Sequence, residues 1–283
     1  MQPSDKRANP STIIIIVIGA IALGLIVGGL IYRLQITKEV DIEAEVLPQP
    51  VQEEVVVEKP AIPEAEIPIA PVVEFSEEPP KIEPAPKPVL PNLNESDSFF
   101  RGRMEIISSN IDIVRWLAVD DLLRRVASYL DGLSRGVVLS KIFPLTQPTG
   151  KFTTHMDGET VWLNAGNYER YDLTIEAIES IDMVSLAKLF HIARPLIEKS
   201  FDEMGYNARQ MEGILLQAID RVLSTPIIIE PIELTRESVL YQFADPDLEK
   251  LMPLQKQLLR TGPENTQKLQ QQALALKNAL LNP

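Results

Sequence analysis

Ile13 to Ile31 is a run of nineteen residues without a charge. Thirteen of them are Ile, Leu or Val, and the rest are Ala or Gly. As a helix rising about 1.5 Å per residue the run would be roughly 28 Å long, close to the ~30 Å hydrocarbon core of a bilayer. Thirteen aliphatic side chains at about −0.3 to −0.6 kcal/mol each favour insertion by roughly 4 to 8 kcal/mol. A helix of a soluble domain needs a polar stripe, and this run has none. A cleaved signal peptide fits less well: its apolar region is usually ~7–15 residues long, and no small-x-small site follows here. The sequence therefore predicts an uncleaved transmembrane helix over residues 13–31, with the lipid bilayer as its first partner.

Lys6 and Arg7 precede the run and Arg33 and Lys38 follow it, so the positive charges that orient a span are nearly balanced. The twelve residues before it are easily retained, which favours a cytoplasmic tail over residues 1–12 and a C-terminal part on the far side. Within the run Ala20, Gly24 and Gly28 recur every fourth residue. Small residues at that spacing let two helices approach closely in lipid, so they are the candidate face for a homodimer through the membrane helix.

The next segment is built differently. Twelve prolines fall between Pro48 and Pro91. Residues 39–91 carry thirteen acidic and three basic side chains, a net −10 out of the −13 of the whole chain. Proline removes backbone donors and the like charges repel, so the expectation is a disordered, extended Pro/Glu-rich spacer. Pro60-Ala-Ile-Pro63 and Pro68-Ile-Ala-Pro71 match the PxxP pattern, which such a composition produces by chance.

Residues 92–283 are long enough for one sizeable core. Their periodicity is mostly helical. Phe99, Phe100, Met104 and Ile107 share a face over Ser96 to Ser109, and further helices are predicted over Ile111 to Trp116 and Asp120 to Leu133. Met211, Ile214, Leu215, Ile219 and Val222 form an apolar stripe. Asp182 is placed to cap an apolar helix that Pro195 should kink or end. Thr261-Gly-Pro-Glu264 reads as a capping box before a last helix, in which Leu269, Ala273, Leu276 and Leu280 form a seam. That seam can pack on its own domain or on a partner, the former being favoured. Phe152 to Leu163, centred on Asp157-Gly158, predicts a small β-hairpin. Ile227 to Ile229 between two prolines predicts an edge strand or an extended connection. The fold class expected is mostly α.

Chemistry is sparse. Net acidity argues against general nucleic-acid binding, which needs a basic face. The chain has no Cys, which removes disulfides, thiolate metal sites and thiol catalysis. Gly132-Leu-Ser134-Arg-Gly136 matches the nucleophile-elbow pattern, but a helix rather than a strand precedes it, and the glycines more simply end that helix. His155 and His191 share no ligand spacing, so no metal and no cofactor is expected. Two aromatic and charged clusters remain: Tyr168, Arg170, Tyr171 and Asp172, and Arg236, Tyr241, Phe243 and Asp245. Mixed Tyr and Arg suit a recognition surface, and these side chains equally often bury their bodies at a domain edge. With Arg260 they are the candidate interaction residues, and catalytic residues are assigned to none.

Tyr241-Gln-Phe-Ala-Asp-Pro-Asp-Leu-Glu-Lys-Leu251, Gln257-Leu-Leu-Arg260 and Gly262-Pro-Glu-Asn265 resemble the end of the proteobacterial domain-of-unknown-function family 3014. Asn94-Glu-Ser-Asp-Ser98, Arg135-Gly136 and Tyr168-Glu-Arg-Tyr-Asp172 resemble it too. The resemblance implies a single membrane span, a Pro-rich spacer and a mostly helical domain in the periplasm of a Gram-negative cell. It also implies Ala at the position of Ser134, against a nucleophile there. The function expected is a non-enzymatic interaction or scaffold domain, anchored in the inner membrane and binding an envelope protein or the cell wall. The alternative is an enzyme acting on peptidoglycan, or a regulator of one. The Glu-Ser motif of lytic transglycosylases followed by a Gly-Leu-Met-Gln segment is not found.

Overall fold

The computed structural model describes residues 62–69, 90–144, 147–236 and 240–283. The run over 13–31, with Ala20, Gly24 and Gly28, lies outside the described residues. Among the described residues no helix is long and apolar enough to cross a membrane.

Nine α-helices and four strands are described: α1 Ser96–Ile107, α2 Ile111–Trp116, α3 Leu122–Ser134, β1 Thr154–Asp157, β2 Thr160–Leu163, α4 Asp172–Glu179, α5 Met183–Asp202, α6 Ala208–Leu223, β3 Glu233–Thr235, β4 Gln242–Phe243, α7 Pro246–Glu249, α8 Pro253–Thr261 and α9 Pro263–Leu281. The described residues are mostly helical with one small sheet.

The apolar stripes settle the helical packing. Met211, Ile214, Leu215, Ile219 and Val222 are all buried on α6. Leu269, Ala273, Leu276 and Leu280 are all buried on α9, which lies against α4, α5 and α6. The last seam thus packs on its own domain. α3 packs on α5 and α6 and closes the main core around Trp116, Tyr129, Phe100 and Phe201. Polar side chains fix the helix starts. The Asp182 carboxylate accepts from the Ser185 N–H at 2.6 Å. The Asp97 carboxylate accepts from the N–H groups of Asp121 and Leu122, both at 2.9 Å, so α1 caps α3 from a distance.

The structure bears on two local expectations: the helix does not end at Pro195, and one predicted cap is absent. α5 runs through Pro195 to Asp202. Pro195 sits on the exposed side of the helix, where only the His191 carbonyl loses an intrahelical donor. The capping box at Thr261 does not form. α8 ends at Thr261, whose hydroxyl donates back to the Leu258 carbonyl at 2.7 Å. Gly262 takes the start of α9 at φ 92° and ψ 163°, a conformation that only glycine adopts readily.

The sheet is larger than the expected hairpin. It is an antiparallel meander in the order β1-β2-β3-β4. The tight loop is Gly158-Glu159, one residue later than expected. Gly158 has φ 60° and Glu159 is not in the left-handed region, the pattern of a type II′ turn. Ile227 to Ile229 forms no strand and lies in the connection that leads to β3.

Residues 62–69 lie inside the stretch read as a disordered spacer, yet they are ordered against the helices. Ile67 is 1 % exposed and belongs to the main core.

Candidate functional site

The strand register sorts side chains into two faces. Met156 pairs with Val161, Val161 with Leu234, and Leu234 with Phe243, so these four form one row. Burial rises along the row: Met156 is 63 % exposed, Val161 is half-buried, and Leu234 and Phe243 are buried. The β4 end of this face rests on Leu259 of α8, with Leu163 and Ile232 beside it, as a second apolar cluster. The β1 end is uncovered. His155, Trp162 and Glu233 line up on the opposite face.

The two Tyr and Arg clusters of the sequence meet at this layer. Tyr168 and Tyr241 are both half-buried against the second apolar cluster, which contains Phe243. Their roles then diverge. Tyr171 is 2 % exposed and is a core residue. Burial pushes its hydroxyl up, against the influence of Gln257, Arg170 and Arg260. Its oxygen accepts from the Gln257 amide at 3.2 Å. Arg170 donates to the carbonyls of Thr149 at 2.8 Å and Gly150 at 3.3 Å, holding the segment that enters β1. Arg260 lies over the Phe243 ring at 5.7 Å. Burial pulls its guanidinium below the usual value, opposed by Tyr171 and Glu249. Glu249 accepts from the Phe243 N–H at 3.0 Å and from the Lys256 ammonium at 2.6 Å. Burial pushes its carboxyl up, and the bonds from Lys256 and Phe243, with Arg260, bring it below the usual range.

Arg236 and Tyr241 form the outer part. The exposed Arg236 guanidinium sits over the Tyr241 ring at 5.4 Å, and Phe152 lies 5.8 Å from the same ring. Phe152 is 37 % exposed. Neither Phe152 nor Met156 stood out in the sequence. The alternation of the hairpin puts Met156 on the face that carries Leu163, and Phe152, which precedes β1, is placed by its ring contact with Tyr241. Of the candidates, Arg236 and Tyr241 thus belong to an accessible aromatic and basic surface with Phe152 and Met156. Tyr171 and Phe243 are core residues, and Arg170 and Arg260 hold the scaffold behind the surface.

Ser134 is buried at the end of α3, where its hydroxyl donates to the Asp131 carbonyl at 2.8 Å. Gly136, at φ 71°, lets the chain turn there and pass close to Met252. This is a helix end and not a nucleophile elbow. His155 is on β1 and His191 on α5. Among the described residues no three His, Asp or Glu side chains are grouped to hold a metal ion.

The family described as Protein of unknown function (DUF3014) matches residues 122–277, more than half of the chain. The chain belongs to this family. The DUF3014 match begins with α3 and ends within α9, so it takes in the whole sheet and all seven candidate interaction residues. It does not include α1, α2 or residues 62–69. No curated protein and no solved structure matches the chain.

Proposed function

We propose that the protein is a single-pass inner-membrane protein whose periplasmic domain binds an envelope protein or the cell wall without catalysing a reaction. Residues 13–31 are its span, residues 1–12 its cytoplasmic tail, and the Pro/Glu-rich stretch its tether. The observation that carries the binding role is the surface of Arg236, Tyr241, Phe152 and Met156. Aromatic side chains with an arginine, rimmed by polar groups, are the composition of a recognition patch.

The test is a photo-crosslinking amino acid placed at Met156 in intact cells, with the exposed position Glu105 on α1 as control. The expected result is a discrete adduct at 156 that disappears with Arg236→Ala and Tyr241→Ala together. Equal adducts at 105 and 156, or none at 156, would overturn the assignment of this surface.

A further inference from the structure

A second feature has no part in that surface. Residues 62–69 run as an extended strap across α5 and α6. The backbone of Ile67 is gripped from both sides. Its N–H donates to the Glu212 carboxylate at 2.5 Å, and its carbonyl accepts from the Arg194 guanidinium at 3.1 Å. Arg194 and Glu212 also pair with each other, and Glu212 is 1 % exposed. The Ile67 side chain fills a place in the main core, whereas Ile62 and Ile69 are 40 % and 77 % exposed. Ala65 donates its N–H to the Arg209 carbonyl at 3.1 Å. Glu66 lies 3.9 Å from the Arg209 guanidinium at the rim. Gly213 faces the strap backbone directly: a Cβ there would meet the Pro63 carbonyl carbon at 2.5 Å and the Glu64 Cα at 2.8 Å.

These contacts have the form of peptide recognition. A buried ion pair reads one residue's donor and acceptor, a pocket takes its side chain, and a glycine admits the main chain. Pro68 biases Ile67 towards the extended conformation and so lowers the cost of ordering it. The receptor residues Arg194, Arg209, Glu212 and Gly213 lie on two helices of the DUF3014 match, and the strap lies outside it. Twenty residues separate Ile69 from Leu90, where the domain chain resumes. Beside Pro63, Glu64 and Ala65 an open trough of about 510 Å³ continues along α6, lined by Gly213, Leu216, Gln217, Asp220, Arg221 and Ser224.

We propose that the α5–α6 groove is a binding site for an extended acidic peptide containing an Ile-Pro step, and that the chain's own strap is its resident, displaceable ligand. An incoming segment of the same chemistry then competes with a ligand attached to the receptor. Covalent attachment to the receptor through about twenty residues gives the resident strap an effective concentration on the order of millimolar, so competition in solution is strongly disfavoured until the strap is weakened.

The experiment uses the full-length chain in detergent and a fluorescein-labelled synthetic peptide of residues 60–71. Ile67→Asp places a charge where the core receives Ile67 and should vacate the groove. The Ile67→Asp chain should bind the peptide on the order of a hundredfold more tightly than the native chain does. Adding Gly213→Leu should abolish that binding, and a peptide carrying the Ile67→Asp change should not bind. Equal binding by the native and Ile67→Asp chains, no binding by a folded Ile67→Asp chain, or indifference to Gly213→Leu would overturn the proposal. Should Ile67→Asp prevent folding, hydrogen exchange on the native chain decides. A millimolar excess of unlabelled peptide should speed exchange at the amides of Ala65 and Ile67, and unchanged exchange would sink the idea. None of these readouts depends on residues 13–31 or on the side of the membrane, so their failure is distinct from failure of the anchored reading.

Discussion

Gly262 and Gly102 are opposite cases of one residue type. Gly262 holds φ 92° between α8 and α9, and a Cβ there would lie 2.5 Å from the Tyr168 ring. Gly102 lies within α1, with nothing near its missing side chain. Gly262→Ala meets both backbone strain and a clash and should cost on the order of 3 kcal/mol. Gly102→Ala removes unfolded-state freedom at no steric cost and should add about 0.5–1 kcal/mol. Urea midpoints at unchanged slope measure both, and a harmless Gly262→Ala would refute the close packing of Tyr168. His191 supplies a pH dependence. Burial foremost holds its imidazole below the ordinary 6.5, with Arg194 adding repulsion and the Leu280 carbonyl opposing. The unfolded chain takes up this proton near pH 6.5, and the folded protein only at lower pH. The stability is therefore complete above about 6.5 and is lost as pH falls from there through the folded value. His191→Gln removes this titration. Its urea midpoint should fall less between pH 7 and 5 than that of the native chain, and an identical fall would exclude His191 as the source.

At the scale of elements, β1 depends on a latch outside the sheet. Asn167 is buried in the turn after β2. Its side-chain carbonyl accepts from the Thr153 N–H at 2.9 Å, and its amide donates to the Thr153 carbonyl at 2.6 Å. Asn167→Ala removes both bonds to Thr153 and should cost roughly 1–3 kcal/mol, at a net of about 0.5–1.5 kcal/mol for each bond. Hydrogen exchange should rise at Thr153 and along β1, while the amides of α6 and α9 keep their protection. Loss of protection across all elements together would show that the latch is not local. The same contrast explains what the sequence made legible. α6 and α9 announce themselves because their stripes repeat over several turns, and every stripe residue is buried. β3 has three residues and β4 two, too few for alternation to register. Ile227 to Ile229 looks more strand-like than either, yet only Ile228 turns inward. The candidate surface was half legible. Tyr241 and Arg236 stood out by type, but only the β1–β2 register brings Met156 to their face, and only tertiary packing sends Tyr171 inward. The strap was hidden altogether, because Ile67 meets Glu212 across 145 residues and its own neighbourhood reads as spacer.

For the whole molecule, the strap changes what the spacer does. If residues 13–31 are the anchor, the first fixed point on the domain is residue 62 with the strap docked and residue 90 with it released. The chain between span and domain is then 30 residues in one state and 58 in the other. At about 3.1 Å per residue the full-stretch reach is roughly 90 Å against roughly 180 Å. Both numbers presuppose that the domain and residues 1–12 lie on opposite sides of the membrane, and the chain offers a clean test. It has no cysteine, so Ser4→Cys and Ser98→Cys, made separately, each provide one thiol on a silent background. Ser98 is on the exposed side of α1, away from the core, so the change leaves the packing intact. A maleimide that crosses the outer membrane but not the inner one should label position 98 in intact cells and position 4 only after lysis. The reverse pattern would put the domain in the cytoplasm, where an envelope partner for the Arg236–Tyr241 surface is excluded. The strap groove would survive that result, because its contacts lie within the folded chain. Its competing peptide would then come from a cytoplasmic protein, and the longer reach would extend inward from the membrane.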